Sequence, residues 1–233
     1  MAKKYKQKDV DLKILNYNIA DYNKLYNADF INWKGKTIDT NQYYTEIVAI
    51  ELVGNFLGLD AIKTISRKKT YKIDSHMKIS FNLDKGYEEK IFAKRICGLE
   101  INEIGKIIDY EVPLSNTIGE AGEIDLISYN KKLNTLYLLE LKYKGNKKET
   151  LLRSMLEIYT YFKLVSHKKI LADYNLPKNT IIKPAVILPD NEPTCNAYLE
   201  LKELFNNKRP YLKELSKWME MNFFTIDIKS RRW

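Results

Sequence analysis

The chain of 233 residues is expected to form an α/β domain: a central mixed β-sheet flanked by helices, with a mostly helical N-terminal extension. Three observations point there. Residues 123–129 and 135–143 are short runs rich in β-formers, separated by a turn from Asn130 to Asn134. Residues 149–166 place Leu151, Leu152, Met155, Ile158, Tyr159, Phe162 and Val165 on one helical stripe. Residues 181–188 then return to an apolar strand pattern, so strands and helices alternate through this half of the chain.

The remaining elements follow in chain order. Leu12, Leu15, Ile19, Tyr22, Leu25, Tyr26 and Phe30 lie near helical spacing. Residues 40–58 form an amphipathic helix opened by a Thr40 or Asn41 cap. Residues 62–81 alternate like strands around Arg67, Lys68 and Lys69. A helix over 87–100 is predicted from Ile91, Phe92 and Ile96, and a first core strand over 106–114. Pro184 fits the 181–188 strand only near an edge or at the strand's start. Helices over 196–207 and 210–221 and a short strand, Phe223–Ile228, precede a basic tail ending in Trp233. Residues 1–86 read as an extension packed on the domain of residues 87–233, serving substrate binding or dimerisation.

Composition narrows the chemistry. A net charge of +9 favours a polyanionic partner through counterion release and steering, although a lysine-rich composition gives the same surface. The two cysteines, Cys97 and Cys195, form no CxxC pair, which removes zinc-ribbon readings and suits a reducing cytoplasm. Two histidines, His76 and His167, do not supply the ligands of a His-based nuclease. There is no GxxxxGK[ST] loop, so no P-loop motor is expected. The N-terminal residues lack the apolar stretch of a signal peptide, and no apolar run is long enough to span a bilayer. No membrane partner is expected.

The strongest chemical signal is Gly122-Glu123-Ile124-Asp125-Leu126 followed by Leu139-Glu140-Leu141-Lys142. Side chains alternate along a strand, so Glu140 and Lys142 share a face with Leu136 and Leu138. Pairing of the two strands would bring Asp125 near Glu140. A hard cation such as Mg²⁺ takes its oxygen ligands from one or two carboxylates and keeps several waters. A nearby lysine can neutralise charge developing on a phosphate. The other reading of Glu-x-Lys is a cross-strand ion pair on a solvated strand, but Asp125 in an otherwise apolar strand needs a partner or a metal.

These residues resemble the motif of the PD-(D/E)xK nuclease superfamily, which has the restriction-endonuclease-like fold. Asp125, Glu140 and Lys142 match the Asp, the Glu and the Lys; Ile124 stands where the motif's name has Pro. The resemblance covers roughly residues 87–190. It implies a Mg²⁺-dependent endodeoxyribonuclease, with Mn²⁺ as a substitute, in defence, recombination or repair. Asp125, Glu140 and the Leu141 backbone carbonyl would hold the metal, and Lys142 would position the water or stabilise the transition state. An additional acid on a preceding helix would be Glu88 or Glu89, with Glu46 and Glu51 as alternatives, although the helix dipole favours Glu in a first turn anyway. Glu111 is a further candidate, and a solvated strand face explains it equally well. Glu157 stands where members often carry Gln, with Tyr161 four residues on; an Arg153–Glu157 surface pair explains the same spacing. Arg67, Lys68, Lys69, Lys144, Lys147 and Arg153 are the candidate nucleic-acid contacts. A homodimer is compatible with this reading. Two other classes remain open: a non-catalytic nucleic-acid-binding protein on the same fold, and an RNA-directed or complex-dependent nuclease subunit.

Overall fold

The structure, a computed structural model, describes residues 4–17, 19–73, 88–117, 121–143 and 146–227. Lys144, His76, residues 74–81 of the strand-like stretch, and the basic tail lie outside the described residues. Helix α1 (Gln7–Leu15) is followed by 3₁₀ turns over Ile19–Asn27 and Asp29–Asn32. Helices α2 (Tyr44–Gly54) and α3 (Phe56–Asp60) come next, then α4 (Glu88–Ile96). Strands β1 (Glu100–Ile101), β2 (Gly105–Pro113), β3 (Glu123–Asn130) and β4 (Thr135–Leu141) lead into α5 (Leu151–Leu164) and α6 (His167–Asp173). Strand β5 (Ile181–Pro189), helices α7 (Asn196–Phe205) and α8 (Pro210–Trp218), and β6 (Asn222–Ile226) complete the described fold.

The strands form one mixed sheet in the order β1-β2-β3-β4-β5-β6. The first three pairings are antiparallel; β4–β5 and β5–β6 are parallel. Parallel neighbours need a crossover, which α5 and α6 provide between β4 and β5, and α7 and α8 between β5 and β6. Both faces are covered. Leu136, Leu138, Val186 and Leu188 pack with α1, α2, α5, α7 and α8 in one continuous core. Leu139, Leu141, Ala185 and Ile187 face the other way, against Phe92, Ala93 and Ile96 of α4. Every residue of β4 is therefore buried, which explains its unbroken apolar run.

Several expected elements differ. The 12–31 pattern breaks after Leu15, where Asn16 is the C-cap of α1 and its N–H bonds the Leu12 carbonyl at 3.0 Å. Leu25, Phe30 and Ile31 still reach the core, carried by 3₁₀ turns. The Thr40 or Asn41 cap does not form. Asn41 takes φ +56° and the Thr40 hydroxyl bonds Thr37 at 2.8 Å, so α2 begins at Tyr44. Residues 62–73 form no strand: the Ile65 N–H bonds the Leu164 carbonyl at the end of α5 rather than a strand partner. Helix α4 stops at Ile96 because Gly98 follows at φ +89°. Pro184 is accommodated because β6 begins pairing only at Ala185, leaving β5 an edge before that point.

Candidate active site

The β3–β4 hairpin sets the site. Its register runs from Asn130↔Thr135 to Leu126↔Leu139, so Asp125 comes next to Glu140 as the strands part. There the ladder is continued by a side chain: the Leu141 N–H donates to Asp125 Oδ2 at 2.8 Å. The opposing strand is kinked at the same level. Glu111 adopts φ +45°, an uncommon conformation for a residue with a Cβ, between the pairs Tyr110↔Leu126 and Val112↔Ile124. Tyr110 and Leu126 belong to the α4-side core, whereas Val112 and Ile124 belong to the opposite one. Residues two apart normally share a face. The strand pair thus turns over at Glu111 and Asp125, opening both onto a cavity of about 430 Å³ that Glu88, Glu89, Lys90 and Tyr143 also line.

Glu140 and Lys142 lie behind Asp125, only 3% and 5% exposed. The Lys142 ammonium is 2.6 Å from Glu140 Oε1 and 2.7 Å from Glu149 Oε2, while its N–H bonds the Ile187 carbonyl of β5 at 3.0 Å. Arg153 bonds Glu149 and lies 3.8 Å from Glu157. Tyr161 donates to Glu157 at 3.1 Å, and its hydroxyl is 3.4 Å from that of Tyr26 in the N-terminal extension. Gly122 explains itself here. At φ +88°, an added Cβ would lie 2.7 Å from Tyr161 Cζ, so the glycine lets α5 meet the start of β3.

The electrostatics follow from this crowding. Burial pushes the Asp125 carboxyl up to about 7; Lys142 opposes the shift and Glu89 adds to it. Glu140 is raised by burial and by Asp125 and Glu157, against the pull of Lys142. Glu89 is raised by burial, although Lys142 and the Tyr143 N–H, 2.9 Å from its Oε2, counteract it. Burial would lower Lys142, but Glu140, Glu157, Glu149 and Asp125 outweigh it and hold the ammonium charged. Glu149, by contrast, is held low: burial acts upward and Lys142 with Arg153 outweighs it.

The expected residues therefore separate into groups. Asp125, Glu140, Leu141 and Lys142 come together as anticipated, with Glu89 of α4 beside them and Glu157 and Tyr161 behind. Glu111 lines the cavity but is bonded to Lys90 at 2.8 Å. Glu46 does not supply the helical acid: buried, it accepts the Tyr211 and Leu212 N–H groups at 3.1 and 2.9 Å and closes the start of α8. Arg67 differs from the expected phosphate contact. It is buried, bonds the Ser115 and Thr70 carbonyls and stacks near Tyr71, so its guanidinium is used inside the fold. Lys68 and Lys69 are exposed, and their N–H groups hold Asn116 in the β2–β3 connection, at the Asp125 end of the sheet. Lys147 is exposed, and Arg153 is committed to its carboxylates. Glu149 was visible only as a helix start; its true signal is Asn146 and the Thr150 N-cap, which fix its position.

Among the described residues no three Asp, Glu, His or Cys side chains converge in a set that could hold a metal ion. The donors fit a hard cation in another way. Two carboxylates, Asp125 and Glu140, stand at the parting of the hairpin with their negative charge only partly offset by Lys142, and Mg²⁺ needs only one or two with waters filling the rest. No helix among the described residues is long and apolar enough to cross a membrane. No family model, curated protein or solved structure matches the chain.

Proposed function

We propose that the protein is a Mg²⁺-dependent nuclease of the PD-(D/E)xK type that hydrolyses DNA phosphodiester bonds. The observation that carries this reading is the placement of Asp125, Glu140 and Lys142 where β3 and β4 part, beside an open cavity. The sheet order, with α4 before the hairpin and α5 between β4 and β5, agrees with a restriction-endonuclease-like core.

In this reading Asp125, Glu140 and the Leu141 carbonyl hold the cation, which when bound supplies Lewis-acid polarisation of a phosphoryl oxygen and acidifies a water. Lys142, kept protonated by its carboxylates, places positive charge against the phosphate as negative charge develops. Glu89 and Tyr143 define the cavity wall on the α4 side. Lys68, Lys69 and Lys147 supply exposed positive charge for the backbone of the nucleic acid.

One observation favours a second reading, a non-catalytic nucleic-acid-binding protein on the same scaffold: Glu140 is engaged by Lys142 rather than turned to a ligand. Calorimetric titration of Mn²⁺ separates them. Binding that requires Asp125 supports the nuclease; no binding supports the scaffold.

A further inference from the structure

Resting on the nuclease reading, we propose that Glu149 is a positioning residue: it holds the Lys142 ammonium so that Glu140 is free to turn to a divalent cation. Lys142 has two carboxylate partners at nearly equal distance, 2.6 Å to Glu140 and 2.7 Å to Glu149. They are not equivalent. Glu140 is a strand residue and a candidate metal ligand. Glu149 lies in the connection between β4 and α5 and is fixed from several directions.

Its Oε2 accepts the Asn146 side-chain amide at 3.1 Å, and its Oε1 accepts Arg153. Its own N–H bonds Asn146 Oδ1 at 3.2 Å, and its carbonyl accepts Asn196 of α7 at 3.1 Å. It immediately precedes the Thr150 cap of α5, where the helix dipole favours an anion. Glu149 therefore stays in place whatever Glu140 does. A buried ammonium left with no carboxylate is strongly disfavoured. With Glu149 present, Glu140 can exchange the lysine for a cation while Lys142 remains charged and fixed. Without Glu149, the lysine and the cation compete for the same carboxylate.

This competition is measurable without turnover. Mn²⁺ binding is measured by titration calorimetry for wild type, Glu149→Gln, Lys142→Gln and the double variant, with Asp125→Asn alongside. Glu149→Gln is expected to weaken Mn²⁺ binding about tenfold, the lower range for residues that orient metal ligands. In the Lys142→Gln background the same change is expected to have no effect, because the competitor is gone. Equal losses in both backgrounds, or no loss in either, would overturn the inference. Glu149→Asp, which keeps the charge, should fall between wild type and Glu149→Gln; affinity at or below that of Glu149→Gln would count against it. Mn²⁺ binding lost in Asp125→Asn but unchanged in Glu149→Gln overturns this inference alone. No Mn²⁺ binding by wild type overturns it together with the nuclease reading.

Discussion

Replacing Asp125 with Asn should make the metal-free protein more stable at pH 8. The substitution keeps an oxygen to accept the Leu141 N–H and removes only the charge. Asp125 is raised from 3.8 to about 7, by burial first and with Glu89 adding to it. An acid raised by folding holds its proton in the native state while the unfolded chain releases it. The contribution of Asp125 to stability is therefore greatest below about pH 4, falls as pH rises towards 7 and levels off beyond. About three units correspond to about 4 kcal/mol. That figure is a ceiling, because Asp125 opens on a cavity where water screens its charge. A gain of about 2–4 kcal/mol at pH 8, shrinking to nothing near pH 4, is the expected profile. Urea melts in EDTA between pH 4 and 8.5 measure it directly. Saturating Mg²⁺ should stabilise wild type and leave the variant unmoved. An Asn variant less stable than wild type at pH 8, or a difference independent of pH, would refute the reasoning.

Other perturbations test the surrounding structure. Lys142→Met should destabilise by about 3–5 kcal/mol, because it leaves Glu140 buried without its partner, and adding Glu140→Gln should recover much of the loss in denaturant melts. Gly122→Ala should lower stability by at least about 1 kcal/mol from its positive φ alone, and more from the clash with Tyr161; a neutral melt would show that α5 does not press on β3 there. Lys68→Ala with Lys69→Ala should leave the melting temperature unchanged and flatten the salt dependence of DNA affinity by about one unit of slope for each phosphate no longer neutralised, whereas Arg67→Ala should act on the melting temperature.

The sheet and the grouping of Asp125, Glu140 and Lys142 were legible because they depend on local patterns. Strands β3 and β4, the turn between them, α5 and β5 all carry clear periodicity, and Glu-x-Lys after a buried strand places its own charges. What escaped depends on distant contacts. The left-handed Glu111 has no local signature and is set by two cores that must be filled on opposite faces. Arg67 sits in a basic run that reads as surface, yet the Ser115 carbonyl draws it inside. Helix α6 was missed because its seven residues, His167–Asp173, are too few to show a helical period, and the expected helix ended at Ser166 just before it. Glu149 looked like an ordinary helix-start acid; only the return of β4 next to the α5 N-terminus gives it a lysine to hold.

The most direct test is cleavage of supercoiled plasmid by wild type, Asp125→Asn and Lys142→Ala with Mg²⁺, Mn²⁺ or EDTA. Metal-dependent nicking that EDTA abolishes, with both variants slowed on the order of 10³-fold, is the predicted result. Cleavage by Asp125→Asn at near wild-type rate, or cleavage that persists in EDTA, would contradict the assignment of this site.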